Sequence, residues 1–87
     1  MSVIGGEITE LHSLKTSFQR QGGAVEQLLT ELRAQLGNTY WQGGAAERFR
    51  SSWESEYEPA LRSLSAALAD ASEEVRRRAD ALHAAGA

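Results

Sequence analysis

The sequence predicts an all-α protein, an antiparallel helix-turn-helix hairpin that pairs with a second hairpin into a four-helix bundle. Apolar residues recur at intervals of three and four over two long segments, which is the period of a helix that buries one side. Only a short glycine-containing stretch separates the segments, and short connections favour antiparallel neighbours. With 87 residues, the chain (1–87) is predicted to be a single domain.

The first helix is predicted from about residue 8 to residue 36. The pair Gly22-Gly23 interrupts it at a cost of about 1 kcal/mol per glycine relative to alanine, and we expect the helix to continue through the pair. Gly37 and Asn38 predict its end, because both residues tolerate the left-handed conformation that follows many helices. The turn is therefore predicted at residues 37–44. The apolar stripe consists of Leu11, Leu14, Phe18, Val25, Leu28, Leu32 and Leu36.

The second helix is predicted from about residue 45 to residue 84. Pro59 lies inside it, removes one backbone hydrogen bond and predicts a kink near Glu56 or Tyr57. We expect a continuous helix, because the apolar phase is the same on both sides of the proline. The apolar stripe consists of Ala46, Phe49, Trp53, Tyr57, Leu61, Leu64, Leu68, Ala71, Val75, Ala79 and Leu82.

Both stripes are too wide for one neighbouring helix to cover, since Leu28 adjoins Leu29 and Leu61 adjoins Leu64. A chain this short buries only a modest core, and without cysteine it has no disulfide to stabilise it. We therefore expect two hairpins to pair. The shared dimer and hairpin core is predicted to contain Leu11, Leu14, Phe18, Leu28, Leu32, Phe49, Trp53, Leu61, Leu64 and Leu68.

Several functional classes are disfavoured by composition. A formal charge of −3 argues against nucleic-acid binding, and no apolar stretch is long enough for a membrane span. The start, MSVIGGEITE, has no features of a cleavable signal peptide. His12 and His83 have no metal-ligating neighbour at helical spacing, and Ser51 and Ser52 have no general base nearby. We expect no metal, no cofactor and no enzymatic activity.

The tripeptide Trp41-Gln42-Gly43 stands between the two predicted helices. With Phe49 and Trp53 four residues apart and Pro59-Ala60-Leu61 behind them, it resembles the W-x-G family of small helical hairpins (early secreted antigenic target-like), substrates of bacterial type VII (ESX) secretion. The resemblance covers nearly the whole chain. It implies a protein that is synthesised in the cytoplasm and secreted without a cleavable signal peptide.

The resemblance also implies partners and roles. The hairpin would pair antiparallel with a second W-x-G-like hairpin, and the dimer would engage the type VII secretion ATPase. Gly43 would permit a sharp turn with positive φ, and Trp41 would contact the machinery. A purely structural role for Trp41, capping the hairpin core, is equally open.

Substrates of this system commonly carry a tyrosine followed four positions later by Asp or Glu. Here Tyr57 is followed at that spacing by Leu61, and Tyr40 by Gly44. We therefore expect this chain to be the signal-less member of a heterodimer, with a homodimer as the alternative.

Two other functions remain open. A non-secreted structural or adaptor hairpin is what physical reasoning alone predicts, and it would be favoured if Trp41 and Gly43 proved replaceable. A membrane-active effector is disfavoured, because interfacial helices are usually rich in Lys and Arg. We expect no stable membrane insertion.

Overall fold

The computed structural model describes residues 3–86, with side chains from residue 5 onward, and shows a helical hairpin without strands in this part of the chain. The helices are α1 (Val3–Asn38), α2 (Gly44–Ser52) and α3 (Glu58–Gly86), and a π-helical turn (Trp53–Tyr57) joins α2 to α3. The predicted all-α, hairpin-like fold is confirmed. Both arms are longer than predicted: α1 begins before residue 8 and ends after residue 36, and the second arm continues to residue 86.

The molecule is a rod of 64 × 18 × 12 Å. Its radius of gyration is 19.4 Å, whereas a compact domain of this length would have about 12 Å. Each helix therefore has one neighbour, and the rest of its circumference faces solvent. The buried apolar side chains in the described part of the chain are Leu29, Ala46 and Ala79.

The seam between the arms follows two seven-residue rows on α1. Seven-residue spacing is the coiled-coil repeat, which keeps one strip of a helix against its neighbour. These positions are partly or fully buried in the hairpin. One row is Leu11, Phe18, Val25 and Leu32, and the other is Lys15, Gly22, Leu29 and Leu36.

Serine hydroxyls on α3 bind backbone carbonyls of α1 across the seam. Ser65 Oγ donates to the Gly22 carbonyl at 3.4 Å, and Ser72 Oγ donates to the Lys15 carbonyl at 3.2 Å. From the first pair to the second, the residue number rises on α3 (Ser65 to Ser72) and falls on α1 (Gly22 to Lys15), so the arms are antiparallel. Close approach is possible here because Gly22 has no side chain: a Cβ there would lie 3.6 Å from Cβ of Leu68.

The π-helical turn absorbs one extra residue in the second arm. The seam positions of this arm are seven residues apart, except that Trp53 and Leu61 are separated by eight (the row is Ala46, Trp53, Leu61, Leu68, Val75 and Leu82). In a π turn the hydrogen bond spans five residues, and here the Glu58 N–H donates to the Trp53 carbonyl. The wider turn brings α3 back into phase, and the chain stays helical through Pro59 instead of breaking.

The extra residue corrects one sequence-based assignment. The sequence places Tyr57 in the apolar stripe of the second helix, but in the structure it lies outside the seam and is 48% exposed. Glu58 takes the position beside the seam, and its side chain is 14% exposed. Its carboxylate forms an ion pair with Arg33 on the opposite arm and lies 3.4 Å from Arg62 one helical turn later.

The turn between the arms consists of residues 39–43. α1 ends at Asn38, where the sequence predicts its end. Neither Gly37 nor Asn38 adopts the expected left-handed conformation: among the described residues, only Gly43 has a positive φ. Thr39 closes the helix end instead: its hydroxyl donates to the Gln35 carbonyl at 2.6 Å. Gly43, at φ 106° and ψ 177°, precedes α2, and its carbonyl accepts the Glu47 N–H at 3.1 Å.

We predict that Gly43→Ala destabilises the hairpin by about 1–3 kcal/mol, because the backbone region of Gly43 is open almost only to glycine. Gly43→Val should be worse, since a β-branched side chain fits positive φ poorly. No atom lies within 4 Å of a Cβ built at Gly43 or at Gly37, so Gly37→Ala is the matched control, and it should be neutral or stabilising. Thermal unfolding followed by circular dichroism measures all three. Equal midpoints for Gly43→Ala and Gly37→Ala would contradict the backbone argument.

We predict that the π turn follows from the eight-residue interval rather than from Pro59. In a Pro59→Ala background, deletion of Glu56 shortens the interval to seven and should leave the hairpin at least as stable. Deletion of Ser63, which is also exposed, should cost about 2–5 kcal/mol, because it takes Leu68 out of the seam. Chemical denaturation of both deletion variants is the measurement. The prediction fails if the two deletions are equally damaging.

Candidate interaction surface

Large apolar side chains remain exposed along one side of the rod. Their exposed fractions lie between 40% and 48%. Along each arm they recur at multiples of seven residues, with one interval of eight across the π turn, so they share one side. We call this side the apolar face; its members are Leu14, Leu28, Phe49, Tyr57 and Leu64. Large apolar side chains that are exposed along one side make this side the candidate surface for contact with another protein.

A shallow groove of about 260 Å³ joins the two edges of the apolar face near the turn. Gln35, one heptad after Leu28, lines it from α1, and Phe49 lines it from α2. The edges of the two arms therefore flank the same groove. Its full lining is Leu32, Gln35, Leu36, Thr39, Phe49 and Trp53.

The opposite side of the rod is charged. It carries the Glu58 carboxylate with Arg33 and Arg62. The Ser65 hydroxyl also lies 3.3 Å from Glu26 Oε1, so its one proton is shared between this carboxylate and the Gly22 carbonyl. We call this side the charged face. Both carboxylates therefore already have partners within the hairpin, and ion pairs near a protein surface contribute about 0–1 kcal/mol each.

The residues predicted for the shared core divide into two sets. Six are partly buried in the seam of the single hairpin: Leu11, Phe18, Leu32, Trp53, Leu61 and Leu68. The other four are exposed on the apolar face: Leu14, Leu28, Phe49 and Leu64. One hairpin therefore covers the first set and leaves the second set in contact with solvent.

An aromatic row leads from the turn onto the apolar face. The ring centroids of Trp41 and Phe49 are 5.7 Å apart with planes at 47°, and those of Phe49 and Tyr57 are 6.1 Å apart at 35°. Trp41 is 40% exposed and Tyr40 is 88% exposed. Trp41 therefore packs on an exposed ring and still presents much of its indole to solvent.

Sequence reasoning missed Arg50, which binds the turn. Its Nη1 donates to the Trp41 carbonyl at 2.9 Å, and its Nη2 donates to the Thr39 carbonyl at 3.3 Å. The acceptors are backbone atoms, which every residue carries, so no residue pattern could have indicated this contact.

Two features are absent from the described residues. In residues 3–86 there is no group of three His, Asp or Glu side chains that could hold a metal ion. None of the described helices combines the length and the hydrophobicity that crossing a membrane requires.

Comparison with known proteins identifies the family. The family model WXG100, described as proteins of 100 residues with WXG, matches residues 6–87. Searches of curated proteins and of solved structures gave no match. Proteins of the matched family are small, helical, non-enzymatic and secreted through the type VII system. The chain therefore belongs to the WXG100 family and is a small protein of the type VII secretion substrate kind.

Proposed function

We propose that this protein is exported by type VII secretion as one half of a dimer of hairpins, and that it acts by protein–protein binding. The observation that carries the proposal is the apolar face, which the hairpin itself leaves uncovered. The family suggests another WXG-like protein as the partner. Two such faces packed together would form the core of a four-helix bundle.

Covering the apolar face favours association, because fully burying a large apolar side chain is worth about 1.5–3 kcal/mol. Association itself costs about 4–15 kcal/mol. The fit of the partner to the apolar face therefore decides whether the dimer is stable.

The residues that follow the two tyrosines favour a heterodimer, because neither tyrosine fits the export-signal pattern. Neither Tyr40 nor Tyr57 is followed four positions later by Asp or Glu. In this version of the proposal, the second hairpin supplies the signal to the secretion ATPase and this chain travels with it.

The pattern of the apolar face supports a second candidate, a homodimer. Leu14 and Leu28 lie seven residues on either side of Gln21. Gly22 lies opposite Ser65 and Leu68 on the other arm. At the neighbouring Gln21, the position along the rod therefore matches the midpoint between Leu64 and Ala71. A two-fold axis at Gln21 would place Leu14 against Leu28 of a second copy, and Leu64 against the small Ala71. It would also place Tyr57 against Arg78, a cation–π geometry.

We predict that Gln21→Cys forms a disulfide-linked dimer on air oxidation if the homodimer exists, because residues on a two-fold axis approach closely enough for the bond. The chain has no native cysteine. Gln27 is exposed on the outer side of α1, where it donates to Glu31, so Gln27→Cys is the matched control and should form no disulfide link between chains. Non-reducing electrophoresis and light scattering are the readouts. Absent or equal cross-linking rules out the homodimer with its two-fold axis at Gln21.

We predict that secretion requires the type VII ATPase and that Trp41→Ala reduces secretion more than it reduces stability. Trp41 is partly exposed in a folded hairpin, so its loss removes a contact surface while the seam remains intact. The neighbouring Tyr40→Ala is the control, since Tyr40 is more exposed and lies outside the tripeptide. Secretion is measured by immunoblot of culture supernatants, and folding by circular dichroism. Normal secretion of folded Trp41→Ala would reduce Trp41 to a packing residue.

A further inference from the structure

The turn after α1 contains backbone carbonyl groups that need partners. Residues 39–42 lie between α1 and α2 and outside both helices, so the carbonyls of Thr39 and Trp41 have no donor within a helix. Buried or partly buried backbone carbonyls are usually paired with a donor. The carbonyls of Thr39 and Trp41 both accept from the Arg50 guanidinium, at 3.3 and 2.9 Å.

Arg50 is suited to this contact by its geometry. A guanidinium is planar and presents several donors in a fixed fork, so one side chain can bind two carbonyls at once. A hydrogen bond from a charged donor is about twice as strong as a neutral one. Arg50 is partly buried, and it lines a groove that contains both apolar and charged residues: Arg33, Leu36, Gly37, Trp53, Glu54 and Glu58.

An ordinary ion-pair role for Arg50 does not fit the contacts. Glu54 lies four residues later on the same arm, where an ion pair could form. Among residues 5–86, however, no carboxylate pairs with Arg50. The guanidinium is directed at the turn instead.

Adjacent residues of α2 thus hold Trp41 at two points. Phe49 packs against its indole ring, and Arg50 binds its backbone carbonyl. We infer that Arg50 is a positioning residue, which orders the turn in the single hairpin so that Trp41 is oriented for binding before a partner arrives. Ordering a binding loop in advance lowers the entropy lost on association. The functional meaning of this inference rests on the proposed role of Trp41, but its test does not.

The test is the ¹⁵N backbone dynamics of the isolated hairpin in three variants. In Arg50→Gln, the order parameters of Tyr40 and Trp41 should fall from about 0.85 to below about 0.6, the values of rigid and flexible backbone. In Arg50→Lys, they should lie between these limits, because an ammonium keeps the charge but lacks the fork. Arg48→Gln is the matched control: Arg48 is exposed and has no hydrogen bond or ion pair within residues 5–86, so the turn should stay ordered.

The outcomes separate this inference from the proposed function. Unchanged order parameters in Arg50→Gln, or an equal fall in Arg48→Gln, overturn the inference whatever happens to secretion. A general loss of order in the helices of Arg50→Gln, repeated in Arg50→Lys, also overturns it, because Arg50 would then support the whole fold. Disorder confined to the turn supports the inference. If that variant is still secreted normally, only the role proposed for Trp41 fails.

Discussion

The constraint on which the structure depends is that a hairpin of two helices can cover only one strip of each helix. The seam uses that strip, and its contacts are modest: serine hydroxyls on backbone carbonyls, a glycine at the closest approach and few fully buried side chains. The wide apolar stripes leave a second strip of leucine and aromatic side chains facing solvent. The shape of the rod and the proposal that it pairs with another hairpin both follow from this geometry.

The π turn shows how one residue of chain length changes a surface. With regular α-helical geometry through Trp53–Tyr57, the rest of the second arm would rotate out of the seam. The wider turn keeps Leu61 and Leu68 in the seam. It also places Tyr57 on the same side as Phe49, which extends the aromatic row that begins at Trp41. The composition of the apolar face is therefore set by this irregularity as much as by the residues themselves.

The two helices and the position of the turn could be predicted from the sequence, because both the spacing of apolar residues and the glycines between the helices are local signals. The family was indicated by the tripeptide together with its place between two predicted helices and the pattern of Phe49, Trp53 and Pro59 behind it. The sequence pattern could not show that Glu58, and not Tyr57, lies beside the seam. An eight-residue interval between apolar residues is compatible with a regular α-helix (two steps of four) and also with a π turn, and the two differ in which residue faces the other arm. Arg50 was missed because its acceptors are backbone carbonyls. Whether exposed leucines belong to the hairpin or to a dimer depends on tertiary packing, which periodicity does not report.

The measurement that tests the central claim most directly is hydroxyl-radical footprinting of the protein recovered from its native cells in its assembled form. The reference is the isolated hairpin, diluted until light scattering reports a single chain. Burial of the apolar face predicts that oxidation of Leu28, Phe49, Tyr57 and Leu64 falls in the assembled form. Oxidation of residues next to Glu26, Arg33, Glu58 and Arg62 on the charged face should stay the same. Equal oxidation of the apolar face in both forms would contradict the claim that another hairpin covers it.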